Sequence, residues 1–307
     1  MIFKIGKTTV GEGAPCFVVA ELSGNHNGNI NRAKKMIIKA KEAGANAVKL
    51  QTYTADTITL KSNKNDFKIG KNSPWNKKKN LWSLYNKAFT PWEWHKELFK
   101  LSKKINIEIF SSPFDESAVT FLEKLKCPAY KIASAEINHI PLLEKVAQTK
   151  KPVILSIGLA SIKDISLALK TLKENGTKKI AILQCVSSYP SPLHHQNLKL
   201  IPHIKRKYKV VSGLSDHTLG TTAAITSVAI GGSIVEKHFN LNDKTKTVDS
   251  FFSLKNNHFK LMIKKIRDTE ISLGKETFNI DKSSKKNFYS RRSIYVSKTI
   301  LKNQKIT

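Results

Sequence analysis

Eight short, almost continuously apolar runs recur along this chain, and a longer amphipathic stretch follows each. The runs are Phe17–Glu21, Ala47–Thr52, Ile107–Ser111, Ala129–Ser134, Val153–Ile157, Ile180–Cys185, Val210–Leu214 and Ser233–Lys237. Runs of this length, rich in β-branched residues and without polar alternation, read as parallel strands buried on both faces. The stretches between them read as helices. Ile30–Ala43 brings Ala33, Ile37, Ala40 and Lys41 to one side and stops at Gly44, and Asp115–Leu125 opens on an acidic N-cap. Ser161–Asn175, Leu219–Ile230 and His258–Leu273 each stop at glycine. Eight βα units with mostly short connections predict an α/β fold, a closed (β/α)8 TIM barrel rather than an open doubly wound sheet. The Ser23-Gly24-Asn25-His26-Asn27-Gly28 segment lacks the spacing of a dinucleotide-binding fingerprint.

The expected organisation is a barrel over residues 1–277, a polar linker over 278–290 and a strand-like start of something further over 291–307. One segment interrupts the barrel. Thr54–Thr90, rich in Lys and Asn with Trp75, Trp82 and Tyr85 embedded, is too long for an ordinary βα loop and reads as a substrate lid or a partner surface. The Trp92 and Trp94 pair opens a helix and is explained by packing.

Composition narrows the classes. No apolar run approaches the ~20 residues that cross a bilayer, and the first residues lack the features of a signal peptide. Cys16, Cys127 and Cys185 are too few and scattered for a disulfide framework or a zinc knuckle. A reducing cytoplasm is the expected location. The formal net charge is +30, yet only five of the 53 basic residues are arginine, and lysines are spread over the whole chain. A dedicated nucleic-acid binder concentrates basic residues on one face with interleaved aromatics, so no nucleic-acid role is expected.

In such a barrel the C-terminal ends of the strands converge on one cavity. Glu21, Asn25, Lys49, Gln51, Ser111, Ser112, Lys131, Ser134, Glu136, Ser156, Ser187, Tyr189, Ser215, Asp216, His217, Glu236, Lys237 and His238 all fall at or just past those ends. Lysines supply compact positive charge and small hydroxyls supply donors without bulk, the combination a phosphate-bearing ligand needs. A lysine inside an apolar strand, such as Lys49 or Lys131, is costly without an anionic partner. A lone serine at a strand end is equally well explained as a turn residue. His217 and His238, at matching heights on neighbouring strands, are placed to share one divalent ion, although each alone also reads as a hydrogen-bonded core residue. Glu21 and Asp249 are carboxylates available to metal, water or a sugar hydroxyl, and Glu136 is a further acid–base candidate. Cys185 reads as a packed thiol, and His194-His195 as a solvated loop pair.

At these residues the chain resembles the sialic acid synthase family, which condenses phosphoenolpyruvate with an amino sugar. The resemblance runs from about Ile5 to the end. It rests on Glu21-Leu22-Ser23-Gly24-Asn25-His26-Asn27-Gly28, Val48-Lys49-Leu50-Gln51-Thr52, Ser111-Ser112-Pro113-Phe114-Asp115, Tyr130-Lys131-Ile132-Ala133-Ser134, Gly213-Leu214-Ser215-Asp216-His217-Thr218 and Glu236-Lys237-His238-Phe239. The first of these and Thr90-Pro91-Trp92-Glu93-Trp94-His95 look like the pseudaminic acid synthase branch, which takes a 2,4-diacetamido-2,4,6-trideoxy-altrose; the neuraminate and legionaminate branches differ at both places. The resemblance implies that Lys49, Gln51, Lys131, Ser134, Ser156, Ser187 and Ser215 hold phosphoenolpyruvate. Some relatives carry asparagine where this chain has Ser187. His217 and His238 would hold Mn2+ or Mg2+, with Glu21, Glu136 and Asp249 catalytic and Asn25, Tyr189 and Asp249 against the sugar. The family also implies a homodimer, and a C-terminal antifreeze-like (SAF) domain whose arginine caps the partner's site. Residues 291–307 resemble only the beginning of that domain, so the expectation is a chain that folds its barrel and binds the sugar weakly. A non-catalytic, basic binding protein on the same scaffold is the alternative from another class. Lys49, Lys131, His217, His238 and Asp249 together argue against it, because a dead scaffold has no need of them.

Overall fold

All eight apolar runs become strands, and their order along the chain is their order around a ring. The computed structural model describes residues 1–306. Strands β1 (Ile2–Ile5) and β2 (Thr8–Gly11) form an antiparallel hairpin. Strands β3 (Phe17–Glu21), β4 (Ala47–Thr52), β5 (Glu108–Pro113), β6 (Tyr130–Ile132), β7 (Val153–Ser156), β8 (Ile180–Cys185), β9 (Val211–Asp216) and β10 (Ile234–Asn240) then pair in parallel with their neighbours. β10 pairs with both β9 and β3, so the sheet closes on itself as a (β/α)8 barrel. A two-residue strand, β11 (Leu254–Lys255), lies parallel to the end of β10.

Closure demands close approach at one rung. A Cβ on Gly213 would lie 2.1 Å from the carbonyl oxygen of Ile234, its partner across β9 and β10. The β1–β2 hairpin was not anticipated. Its first strand alternates exposed and buried residues, and Ile5 and Val10 pack in the same cluster as Phe17, Val153 and Ile234, near the starts of their strands. The hairpin thus closes the end of the barrel opposite the strand C-termini.

Two strand bounds move for reasons that matter to the site. The expected strand Ala129–Ser134 shrinks to Tyr130–Ile132 because the chain turns into a 3-10 helix at Ser134–Glu136. The expected Ser233–Lys237 extends to Asn240, carrying His238 inside the ladder, because its charged residues are buried rather than terminal.

The helices follow their caps. Asn29 accepts from the Arg32 amide and starts Ile30–Glu42, Asp115 accepts from the amides of Ser117 and Ala118, and Ser161 forms a capping box with Asp164. On the first helix the buried stripe is Ala33, Met36, Ile37 and Ala40. Lys41 is exposed instead, and its Nζ donates to the Asn106 carbonyl at 2.6 Å. The helix expected from Leu219 begins at Thr222, since Gly220 turns the chain at φ +79°. Within Thr54–Thr90 lie helices Ala55–Ile58 and Leu81–Ala88, the latter opened by an Asn80–Ser83 capping box.

Residues Met1–Leu273 form one compact unit, and those from Gly274 onward a second. In the second, Lys282–Lys285 is a short helix and Phe288–Ser290 a 3-10 turn. The strand-like run from Arg291 to Val296 is not a strand: its residues are exposed and have no ladder partner among the described residues. No helix among the described residues is long and apolar enough to cross a membrane.

Gly213→Ala is expected to lower the free energy of unfolding by roughly 3 kcal/mol or more, because the clash is with backbone. Gly70→Ala, where an added Cβ meets nothing within 4 Å, is expected to stay within about 0.5 kcal/mol. Urea unfolding of both variants checks the contrast.

Candidate active site

Alternation along each strand sends every second side chain to the barrel axis. Near the C-terminal ends this brings Glu21 of β3, Lys49 and Gln51 of β4, Lys131 of β6, Ser215 of β9 and Glu236 and His238 of β10 into one cavity. Lys49 Nζ lies 3.0 Å from Glu21 Oε2 and 3.3 Å from Glu236 Oε1, and Lys131 Nζ lies 3.4 Å from the same Glu236 oxygen. Gln51 donates to Glu21 Oε1 at 2.9 Å, as does the Ser23 amide at 3.1 Å. Ser215 donates to Glu236 Oε1 at 3.2 Å, and Lys49 to Ser112 Oγ at 3.2 Å. The four charged residues are each at most 4% exposed.

Burial would raise Glu236, but Lys131 and Lys49 outweigh it and hold the carboxyl well below its usual range. Burial opposes the charge on Lys49 too, and Glu21 and Glu236 overcome it, so the ammonium is held more tightly than usual. Lys131 shares its carboxylate with Lys49, and there burial prevails and lowers the ammonium. Glu21 is raised to about 6, mainly by burial. Glu136, in the 3-10 turn after β6, is raised by burial to about 7, against the pull of Lys131 and Lys49.

Several polar atoms here lack partners. The hydroxyls of Ser156 and Ser187, one carboxylate oxygen each of Glu136 and Glu236, and Nδ1 of His238 are buried without a hydrogen bond. A buried unsatisfied polar group costs about 1–3 kcal/mol, so such a concentration suits a polar ligand or ordered water. Ser134, by contrast, accepts from the Leu159 amide at 2.9 Å and ties the turns after β6 and β7 together.

The His217 and His238 rings have centroids 5.3 Å apart. Burial lowers both, His217 to about 4, so they are neutral imidazoles. His217 Nδ1 faces the Val186 carbonyl at 3.0 Å and must carry the proton, which leaves its Nε2 lone pair available. The pair fits a divalent cation as two neutral donors, one with its tautomer set and one with an orphaned nitrogen. Among the described residues no group of three or more His, Cys, Asp or Glu is arranged to hold an ion.

Over the histidines stands an aromatic wall. Tyr189 packs on His217 at 4.4 Å, Phe252 on His238 at 4.6 Å, and Trp75 lies 5.6 Å from both Tyr189 and Phe251. Trp75 comes from the long insertion and donates to the Val248 carbonyl at 3.0 Å, next to half-buried Asp249, whose carboxyl burial raises. Asn25 does not join the cavity. Its amide donates to the Phe239 carbonyl and to Ser253 Oγ, and its oxygen accepts from Thr247, so it braces the loop after β10.

The structure therefore gathers Glu21, Lys49, Gln51, Lys131, Ser215, His217, His238 and Tyr189, with Ser156, Ser187, Glu136 and Asp249 around them. Sequence reasoning placed Glu236 at the strand end but gave it no role, although it sits two residues before His238 and so on the same face. Trp75 had no local signal, since only the return of the insertion onto the barrel places it. Cys185 lies 3.8 Å from His217 Nδ1, with its thiol raised by burial.

A profile of the NeuB family matches residues 36–278. The chain is 44% identical over 294 residues to a pseudaminic acid synthase of Helicobacter pylori, covering 95% of this chain and 86% of that one. It is 35% identical over 291 residues to an N,N'-diacetyllegionaminic acid synthase of Campylobacter jejuni, covering 94% and 86%. The crystal structure of an N-acetylneuraminic acid synthetase of Leptospira borgpetersenii in complex with citrate superposes with a TM-score of 0.82 at 30% identity, covering 95% of this chain and 96% of that one.

The folded chain holds the Glu136 proton more tightly than the unfolded one. Stability from this group is therefore fully present below about pH 4.5 and lost as pH rises through about 7. Between pH 4.5 and 8 wild type is expected to lose about 2–3 kcal/mol more than Glu136→Gln, read from paired urea titrations.

Proposed function

The chain belongs to the NeuB family, and on that premise we propose that it is a pseudaminic acid synthase, joining phosphoenolpyruvate, 2,4-diacetamido-2,4,6-trideoxy-altrose and water to give pseudaminic acid and phosphate. The observation that carries the reading is the pair of buried lysines facing Glu236, with the unpartnered hydroxyls of Ser156 and Ser187 among the residues around it. Such a site offers ammonium charge and hydroxyl donors to a small, multiply charged anion while keeping bulk water out. The greater identity to a pseudaminic than to a legionaminic acid synthase supports the branch.

In this reading Lys49, Gln51, Lys131, Ser134, Ser156, Ser187 and Ser215 hold the phosphate and carboxylate of phosphoenolpyruvate. The methylene carbon of the enol attacks the sugar aldehyde and forms the new C–C bond. Water adds to the neighbouring carbon, and the tetrahedral intermediate expels phosphate by C–O cleavage. Glu21, raised to about 6 and oriented by Gln51 and Lys49, takes the proton of the attacking water. Glu136, raised to about 7, gives a proton to the aldehyde oxygen as it becomes a hydroxyl. Tyr189 and Asp249 position the sugar beneath the aromatic wall. A divalent ion on His217 and His238, Mn2+ or Mg2+, would polarise the aldehyde as a Lewis acid.

Phosphate release with Mn2+ tests the proposal, with the altrose derivative, the legionaminate precursor and N-acetylmannosamine offered side by side. Release with the altrose derivative is expected, together with loss on chelation and at least about a hundredfold drop in kcat/KM for Lys131→Met. Release with another sugar alone would move the chain to a different branch, and silence with all three would overturn the reading.

A further inference from the structure

The two histidines are held to each other by an arrangement on the opposite face of their strands. The last registered pair of β9 and β10 is Asp216 with Lys237, and His217 lies one residue beyond that rung. Strand alternation that turns Ser215 and Glu236 to the axis turns Asp216 and Lys237 away from it. They face the layer where helix Thr222–Ala229 packs on both strands. Both are 1% exposed.

Lys237 Nζ donates to Asp216 Oδ2 at 2.7 Å and to the Thr218 carbonyl at 2.6 Å, and Asp216 Oδ1 accepts from the Thr218 amide at 2.8 Å. Lys237 thus grips the residues on both sides of His217 while being the chain neighbour of His238. This is an unusual filling for a layer between sheet and helix. A buried ion pair is often no more stable than apolar side chains of the same volume, so what it adds is a defined geometry. Here the ladder has just ended, and the other hydrogen bonds of His217, from the Ser191 amide to its carbonyl and from its ring to the Val186 carbonyl, run to the segment after β8 and not to β10.

We propose that Lys237, Asp216 and Thr218 form a clamp that sets the spacing of His217 and His238 for one shared divalent cation. Lys237 is a positioning residue: it touches neither the ion nor the substrate and acts through the backbone of both histidines. The proposal rests on the metal reading given above and assigns that site its supporting layer.

The test measures Mn2+ binding to metal-free protein without substrate, by the loss of the free-ion electron paramagnetic resonance signal, for wild type, His217→Ala, Lys237→Met and the pair Lys237→Gln with Asp216→Asn. Lys237→Met is expected to weaken Mn2+ binding at least about tenfold while phosphoenolpyruvate affinity moves no more than about twofold. The neutral pair, which restores a hydrogen bond without buried charge, is expected to recover part of that loss. It also decides the matter by the same Mn2+ reading if Lys237→Met does not fold. Unchanged Mn2+ affinity in a folded variant overturns the clamp and leaves the metal site standing, as does an equal fall in phosphoenolpyruvate affinity. Wild type that binds Mn2+ no better than His217→Ala overturns the metal reading and the clamp with it.

Discussion

Glu236 between two buried ammonium groups is the contact on which the mouth of the barrel depends. At an effective dielectric of about 20, a charge contact at 3.3 Å is worth about 5 kcal/mol, the same size as the cost of dehydrating one ion. Lys49, with two carboxylates, gains enough to stay firmly charged. Lys131, with half a share of one, has its ammonium lowered by burial and is the lysine with most to gain from a further anion. The attraction within the cluster is therefore of the same size as the cost of burying its charges.

That balance requires the strands to be in one register. A slip of a single residue would turn Lys49, Lys131 and Glu236 into the apolar layer under the helices and bring Leu50 and Lys237 to the axis. The close approach at Gly213, the hairpin under the barrel and the Lys237–Asp216 pair all act against such a slip. The same alternation separates two kinds of buried lysine. Lys49 and Lys131 face the cavity and meet shared carboxylates, whereas Lys237 faces the helical layer and has a carboxylate and a carbonyl to itself.

The insertion Thr54–Thr90 completes the enclosure. Gly24 leaves room where Ala88 of the insertion and Val248 of the loop after β10 meet, since a Cβ there would lie 3.2 Å and 3.3 Å from them. Trp75 then reaches the Val248 carbonyl and joins the aromatic wall. Asn25 fastens the same loop from below. Sequence placed Asn25 in a motif among chemical residues, which invited a role against the sugar. Its hydrogen bonds place it as a brace, because a short amide deep under a loop meets backbone before it meets a ligand. Lys41 falls next to the apolar stripe by spacing alone, but the buried face extends to the other side, to Met36, and leaves Lys41 at the exposed edge.

Much of the architecture was legible in the order of residues: eight buried strands, their helices and caps, and the convergence of lysines, serines and two histidines at the strand ends. These follow from local rules of periodicity, capping and the cost of burying charge, which act over a few residues. The sharing of one carboxylate by two lysines, the tautomer of His217 set by Val186, the reach of Trp75 and the grip of Lys237 on both sides of His217 were not legible. Each depends on a distance between segments far apart in the chain, and closing the barrel is what brings those segments within a hydrogen bond of each other.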